Sequence, residues 1–433
     1  MSIYILIAYY ALLALCVFCY IRSRKKNTLN IRDIILALTL ITTSVGGVFC
    51  SYGYASMELC PIRYNILFCY ISFFVILTLA FSSLGKKKTY KFGKKLDFIV
   101  TDRAVWLIYF IILAYTLAYF AFLGDNIPLI SLIKTGDVAS AIISRLEVTH
   151  DLTDYYEVPF LFRYARFFRE TPIFLLTCIA YLKYRNGGHK LMFYVILFTN
   201  IFYQTYALEK AGVVYIIIML YFCKILTQEK VSILSFKLMI PFVLIGVSIY
   251  MMYSFFMGQD EGIFESIANR VFLRQTGWIY FQDQILESKF GGSLYGGGIS
   301  MFLLDSILGR SPISLSKEFY LEAYSQYGNA GYIGTTGGMP MFYLYSNFGL
   351  IIACLIFYLM CYVVARVDNT LSKAVISNKR NQLSIAVQAT FLYLCIGGFM
   401  GNMSSVFMLP FIWAPQVLIL ILTIVGLKKL QKA

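Results

Sequence analysis

Histidine is almost missing from this chain of 433 residues, which holds only His150 and His189. Membrane-embedded acyltransferases and metal-dependent intramembrane proteases rely on an imidazole in or near their spans, so both classes drop out. Charge is scarce as well. Charged residues make up 14% of the chain, against roughly a quarter in a soluble globule, which leaves too little polar surface to cover a water-exposed fold. Apolar and polar residues do not alternate with period two, which excludes a transmembrane barrel. The glycine clusters GGSLYGGG (291–298) and GTTGG (334–338) are not followed by Gly-Lys-Ser/Thr, so neither has the signature of a nucleotide-binding phosphate loop. They read either as flexible turns or as backbone that approaches a sugar or phosphate closely.

Apolar side chains are abundant. They form 59% of the sequence, aromatics 17%, and the mean hydropathy is +0.72. Runs of about 20 apolar residues recur from end to end, each long enough to cross a bilayer. They fall at 3–21, 33–55, 64–84, 104–123, 170–184, 191–208, 211–228, 237–257, 340–364, 383–401 and 405–427. The expected fold is an all-α polytopic membrane protein of about eleven helices, with residues 1–433 forming a single integral membrane domain. The first run begins close to the N-terminus and lacks a small-residue cleavage site, so it reads as a retained helix. Eight cysteines (Cys16, Cys19, Cys69, Cys178, Cys223, Cys354, Cys361 and Cys395) lie inside the runs, where they act as small apolar residues. Cys50 and Cys60 fall near the outer face, where a disulfide is chemically permitted.

The net charge of +15 is distributed by topology. Alternate inter-span segments (22–32, 86–103, 183–190, 224–237, 366–380 and 428–432) hold 25 of the 37 basic residues and five acids, Asp33, Asp97, Asp102, Glu229 and Asp368. The other side holds 12 basic residues and 17 acids. The positive-inside rule makes the first side cytoplasmic, with the N-terminus out and the C-terminus in. The basic run GKKKTYKFGKK (85–95) then reads as a topology determinant touching anionic lipid, and His189, in the cytoplasmic NGGHK stretch, as inert. The outer side has two large loops, 124–169 and 258–339, both rich in aromatics. Loops of that length are commonly functional.

The outer loops also carry the notable cations. FLFRYARFFRE supplies Arg163, Arg166, Arg169 and Glu170; continued as the start of the fifth span, Arg163, Arg166 and Glu170 share one helical face. ANRVFLRQTGW supplies Arg270 and Arg274, one turn apart, with Gln275 and Trp278 beside them. ALEKAG sets Glu209 and Lys210 where the chain barely leaves the membrane, a costly position that usually faces a cavity. Each arginine alone is equally an interfacial anchor. Together, on the side where cations are disfavoured, they point to anion binding, for which guanidinium is well shaped. The short outer segment before the third span offers only Glu58, so the paired acids of a metal-using, lipid-linked glycosyltransferase are missing there, and no cofactor is expected.

The chain resembles the Wzy-type oligosaccharide repeat-unit polymerases, which include O-antigen and capsule polymerases. The resemblance rests on the span count, the two large outer loops with arginines in both, LEKAG before a span, NRVFLRQTGWIYFQ in the second loop, and GGMPMFYLYSNFG leading into the ninth span. It implies location in the bacterial cytoplasmic membrane and a glycosyl transfer at its outer face. A growing glycan on undecaprenyl pyrophosphate is the donor, and one lipid-linked repeat unit is the acceptor. A chain-length regulator is an expected partner, and nucleic acid is not. Under that reading Arg163, Arg166, Arg169 and Lys210 hold one pyrophosphate, while Arg270 and Arg274 hold the other and neutralise the leaving group. Glu209 is the first choice of base, with His150, Glu170 and Glu322 behind it. Trp278, Tyr280 and Tyr295 are available to stack on sugars. A glycolipid flippase is the non-enzymatic alternative, although nearly charge-free spans and long outer loops favour surface chemistry. An O-antigen ligase is the other, although that family leans on a histidine in its late loop and 258–339 has none.

Overall fold

The computed structural model describes residues 99–136, 165–207, 211–227, 340–377, 382–400 and 414–432, with short pieces at 31–32, 34–35, 159, 162, 289–291, 294–295, 297–298, 309, 313, 315 and 318. Among the described residues the structure is helical and contains no strand. The α-helices are α1 (Asp102–Leu123), α2 (Pro128–Thr135), α3 (Ala165–Glu170), α4 (Pro172–Arg185), α5 (Lys190–Thr205), α6 (Ala211–Leu226), α7 (Pro340–Ser377), α8 (Gln382–Met400) and α9 (Ala414–Lys432). A 3₁₀ turn, Gly124–Asn126, joins α1 to α2.

Local chemistry explains the helix boundaries. The Thr101 hydroxyl caps α1 by accepting from the Ala104 N–H at 3.4 Å. Gly124 stops the helix at φ +56, and Gly136 ends α2 at φ +63, both conformations that glycine adopts without strain. Proline opens α2, α4 and α7, where its missing N–H has no intrahelical partner to lose. Threonine hydroxyls inside the helices bond back to the carbonyl four residues earlier, as at Thr116 (2.8 Å), Thr177 (2.7 Å) and Thr390 (2.9 Å). They are therefore satisfied without a second helix.

α4 and α8 form the centre. Every residue from Thr171 to Ala180 is buried, as is every residue from Leu383 to Cys395. Their rings meet at Phe174 and Tyr393, centroids 4.5 Å apart, with Tyr215 of α6 against Tyr393 at 5.0 Å. α1, α5, α6, α7 and α9 surround this pair. The outer helices stay apolar on both faces. α1 buries Val105, Ile108, Ile112 and Tyr119 inward and exposes Leu107, Phe110, Ile111 and Leu117 outward. α7 exposes Ile351, Ile352, Leu355 and Leu359. A helix that is apolar all round suits a core or a bilayer, not a water-facing surface. Two stretches, Asp102–Asn126 and Tyr343–Ser372, are long and apolar enough to cross a membrane.

The runs expected at 104–123, 170–184, 191–208, 211–228 and 383–401 coincide with α1, α4, α5, α6 and α8 to within a few residues. Two others differ. α7 continues thirteen residues beyond the expected end at 364, because Asp368, Thr370 and Ser372, polar in sequence, are buried in the structure. It also kinks at Gly349, φ +71. The run expected at 405–427 is exceeded at its far end, where α9 continues to Lys432, while 405–413 lie outside the described residues. The runs at 3–21, 64–84 and 237–257, nearly all of 33–55, the basic run 85–95, and Cys50 with Cys60 lie outside the described residues.

The helices alternate in direction, which sorts their ends. At one end Lys183 reaches Asp102 at 2.5 Å and His189 Nδ1 reaches the same carboxylate at 2.7 Å. Arg185 donates to Thr227 at 2.7 Å. Beside them Asp368, fully buried, accepts from the backbone of Ile31 (3.0 Å) and Arg32 (3.3 Å), and pairs with the Arg32 guanidinium at 3.8 Å. His189 is thus part of an ion-paired cluster and not the inert position expected from its sequence. At the other end, α1 and α5 finish together with Tyr119 and Tyr206 hydroxyls 3.5 Å apart.

Candidate functional site

The end where α1 and α5 finish holds the backbone of three residues that the sequence singled out, Arg166, Arg169 and Glu170. α3 carries Arg166, Arg169 and Glu170 on one short helix, with Arg166 and Glu170 four residues apart on one face. It is not the first turn of α4. Thr171, at φ −116 and ψ −64, and then Pro172 interrupt the helix, since a proline restricts the residue before it and donates no hydrogen bond. α3 is held by its buried face, Ala165 and Phe167, and by the Tyr203 hydroxyl, which donates to the Ala165 carbonyl at 3.2 Å.

Tyr203, on the last turn of α5, and Tyr206, its C-cap, lie three residues apart, shortly before Glu209 and Lys210 in sequence. The Tyr206 carbonyl accepts from the Leu129 N–H at 3.0 Å, tying the start of the first large loop to the same place. α3 and the start of α2 therefore both meet the end of α5.

A buried polar ladder runs from this end of α5 to α4. Gln204 Nε2 donates to Asn200 Oδ1 at 3.4 Å, Asn200 Nδ2 donates to Thr177 Oγ1 at 2.9 Å, and all three residues are buried. Gln204 lies across Gly212, where an added Cβ would come within 2.6 Å of the glutamine side chain. The glycine of ALEKAG is thus required by close packing of α5 on α6. Sequence reasoning passed over Thr177, Asn200 and Gln204. Their signal was present as uncharged amides and hydroxyls inside apolar runs, residues that must find partners wherever water is excluded.

The second large loop docks on the opening of α7. The Leu294 N–H donates to the Ser346 carbonyl at 2.8 Å, and the Gly298 N–H donates to Asn347 Oδ1 at 2.9 Å. Asn347, fully buried, donates in turn to the Tyr343 carbonyl at 2.8 Å. A Cβ on Gly298 would lie 3.1 Å from the Asn347 amide. GGSLYGGG is therefore a packed docking segment at this point: the Gly298 amide serves the loop's own anchorage and not a ligand. Tyr295 stands at its tip, 90% exposed, at φ +47. Lys289 and Glu318 pair nearby at 3.4 Å.

The backbone of Arg166, Arg169 and Glu170 is placed on α3, while their side chains lie outside what is described. Arg163, Glu209, Lys210, Arg270, Arg274, His150, Glu322, Trp278, Tyr280 and the GTTGG cluster also lie outside the described residues. Compared with known proteins, the chain matches no family model, no curated protein and no solved structure.

Proposed function

We propose that this chain is a multi-pass membrane glycosyltransferase that polymerises lipid-linked oligosaccharide repeat units at the outer face of the bacterial cytoplasmic membrane. The membrane part of the reading is supported by the outward apolar faces of α1 and α7. The topology part, with eleven spans, N-terminus out and C-terminus in, is supported by which ends meet. Asp102 contacts Lys183 and His189, Arg185 contacts Thr227, and Arg32 contacts Asp368, each contact joining residues that charge assigns to the cytoplasmic side. Leu129 and Tyr206, assigned outside, likewise meet.

The observation that carries the catalytic part is the docking of the arginine helix α3 on the end of α5, where the Tyr203 hydroxyl holds the Ala165 carbonyl, a few residues before Glu209 and Lys210 in sequence. In this reading Arg163, Arg166, Arg169 and Lys210 hold one undecaprenyl pyrophosphate, and Arg270 with Arg274 hold the other. The acceptor's terminal sugar hydroxyl attacks the donor's anomeric carbon. Its proton passes to Glu209, and the bond from that carbon to the pyrophosphate oxygen breaks. The leaving pyrophosphate keeps the bonding pair, and the fixed cations neutralise the charge it carries away. No metal is needed for that step when guanidinium and ammonium groups supply the positive charge.

The test is the size of the surface glycan in cells lacking the chain. Glycan capped by single repeats supports the reading. Glycan of ordinary length contradicts it, and so does glycan stranded on the cytoplasmic side or absent from its final acceptor.

A further inference from the structure

The charged end of the bundle holds a hollow that the glycosyl-transfer reading does not use. It measures about 310 Å³ and is lined by Lys183, Asn186, His189 and Gln382, with Gly187–Gly188 as its floor and Ile99 at its edge. That size suits a headgroup better than a whole metabolite, since pockets for drug-sized ligands run from roughly 300 to 1,000 Å³.

Its chemistry favours an anion. Lys183 is about nine-tenths buried and gives one ammonium proton to Asp102, which leaves two to donate. His189 meets Asp102 through Nδ1, which leaves Nε2. The His189 backbone sits at φ +61, a conformation uncommon for a residue with a side chain. No side chain caps the first turn of α5, which opens beside the hollow. Asp102 is the one carboxylate in contact with these groups among the described residues, and Arg185 and Lys190 flank the lining residues in sequence.

A second feature points to an amphiphile. An exposed apolar stripe leaves the hollow along α5: Leu191 (74% exposed), Tyr194, Phe198 (65% exposed) and Phe202, spaced three and four residues apart. Ile99, at the rim, is 81% exposed. A cationic hollow continuous with an outward apolar stripe matches a phosphate headgroup followed by acyl chains.

We infer that this hollow is a specific site for an anionic phospholipid of the cytoplasmic leaflet, with the headgroup phosphate on Lys183 and His189 and the chains along Leu191, Tyr194 and Phe198. A buried lysine in a formed pocket separates this site from the diffuse attraction of any basic loop to an acidic membrane.

The inference rests on the membrane part of the proposed function and not on glycosyl transfer, and one experiment separates the two. The full chain is placed in phosphatidylcholine nanodiscs, phosphatidylglycerol is titrated in, and thermal unfolding is followed. Failure to insert into neutral nanodiscs overturns the membrane reading and this site with it. Saturable stabilisation by phosphatidylglycerol is expected, with no comparable effect of inorganic phosphate or glycerol phosphate. His189→Gly keeps a backbone suited to φ +61 and should weaken the lipid response by at least about tenfold, the loss of one charge-assisted hydrogen bond. Its stability in neutral lipid should fall only slightly, since the contact of His189 with Asp102 is partly solvent-exposed. The paired change Asp102→Asn with Lys183→Met removes the buried charges together and should abolish the response in a folded chain. An equal response in wild type and both variants overturns the site, as does stabilisation by soluble phosphate to the same extent.

Discussion

Where α1, α5 and α8 begin, charge holds the helices together: Lys183 and His189 grip Asp102, and buried Asp368 binds Arg32 and the backbone at Ile31. Where α1 and α5 end, neutral groups do that work. Tyrosine hydroxyls meet each other and the Ala165 carbonyl, Gln204 and Asn200 form a ladder to Thr177, and Asn347 takes the Gly298 amide. The ion pairs at that second end, Lys134 with Asp125 and Lys289 with Glu318, are largely solvent-facing. In the proposed reading Arg166, Arg169 and Lys210 act at this end on an anionic substrate. Charge is structural at one end and, in the proposed reading, functional at the other.

The sharpest way to break that contrast is to remove charge at each end. Asp368→Ala should be the most damaging substitution. It strips two backbone N–H groups and a buried guanidinium of their partner, and breaking a buried pair from one side costs about 3–5 kcal/mol. A large fall in unfolding temperature in detergent, with poor recovery of folded protein, is the expected result. Arg166→Lys and Arg169→Lys should do the reverse, leaving stability near wild type while each lowers turnover about ten- to a hundredfold. Lysine keeps the charge but loses the planar fork. Thermal unfolding alongside the rate of repeat-unit extension checks both halves.

Gly212→Ala tests the neutral end directly. The new methyl meets Gln204 at 2.6 Å, so overpacking should cost about 1–3 kcal/mol. Adding Gln204→Ala should recover part of that loss, a non-additivity readable by a double-mutant cycle. The smallest effect belongs to Asp125→Asn, which breaks the exposed pair with Lys134. Stability should change by less than about 1 kcal/mol.

Hydropathy located the centres of α1, α4, α5, α6 and α8 because each is a long apolar run with few competing signals. It misjudged ends where a second principle acts. The tail of α7 looked like a loop because Asp368 and Ser372 are polar, yet tertiary partners bury them: Ser372 bonds Asp368 at 3.3 Å and Gln388 bonds Ser372 at 3.0 Å. The break between α3 and α4 falls at Thr171, directly before Pro172, a signal that a hydropathy window averages away. In the site, the sequence showed which residue types gather near the outer face. It could not show that Tyr203 ties the arginine helix to the end of α5, because that depends on which turn of α5 meets α3. His189 was misread for a similar reason: its partner, Asp102, lies far away in sequence.

The most direct test of the account is chain extension by the purified protein in proteoliposomes. These carry undecaprenyl-pyrophosphate-linked repeat units and excess metal chelator, and the products are resolved by size. The account predicts a ladder of lengthening glycan that survives the chelator and shrinks towards single repeats when Arg166 and Arg169 are both lysine. Absence of any extension by the wild-type chain, or extension that requires magnesium or manganese and ignores both arginines, would contradict it.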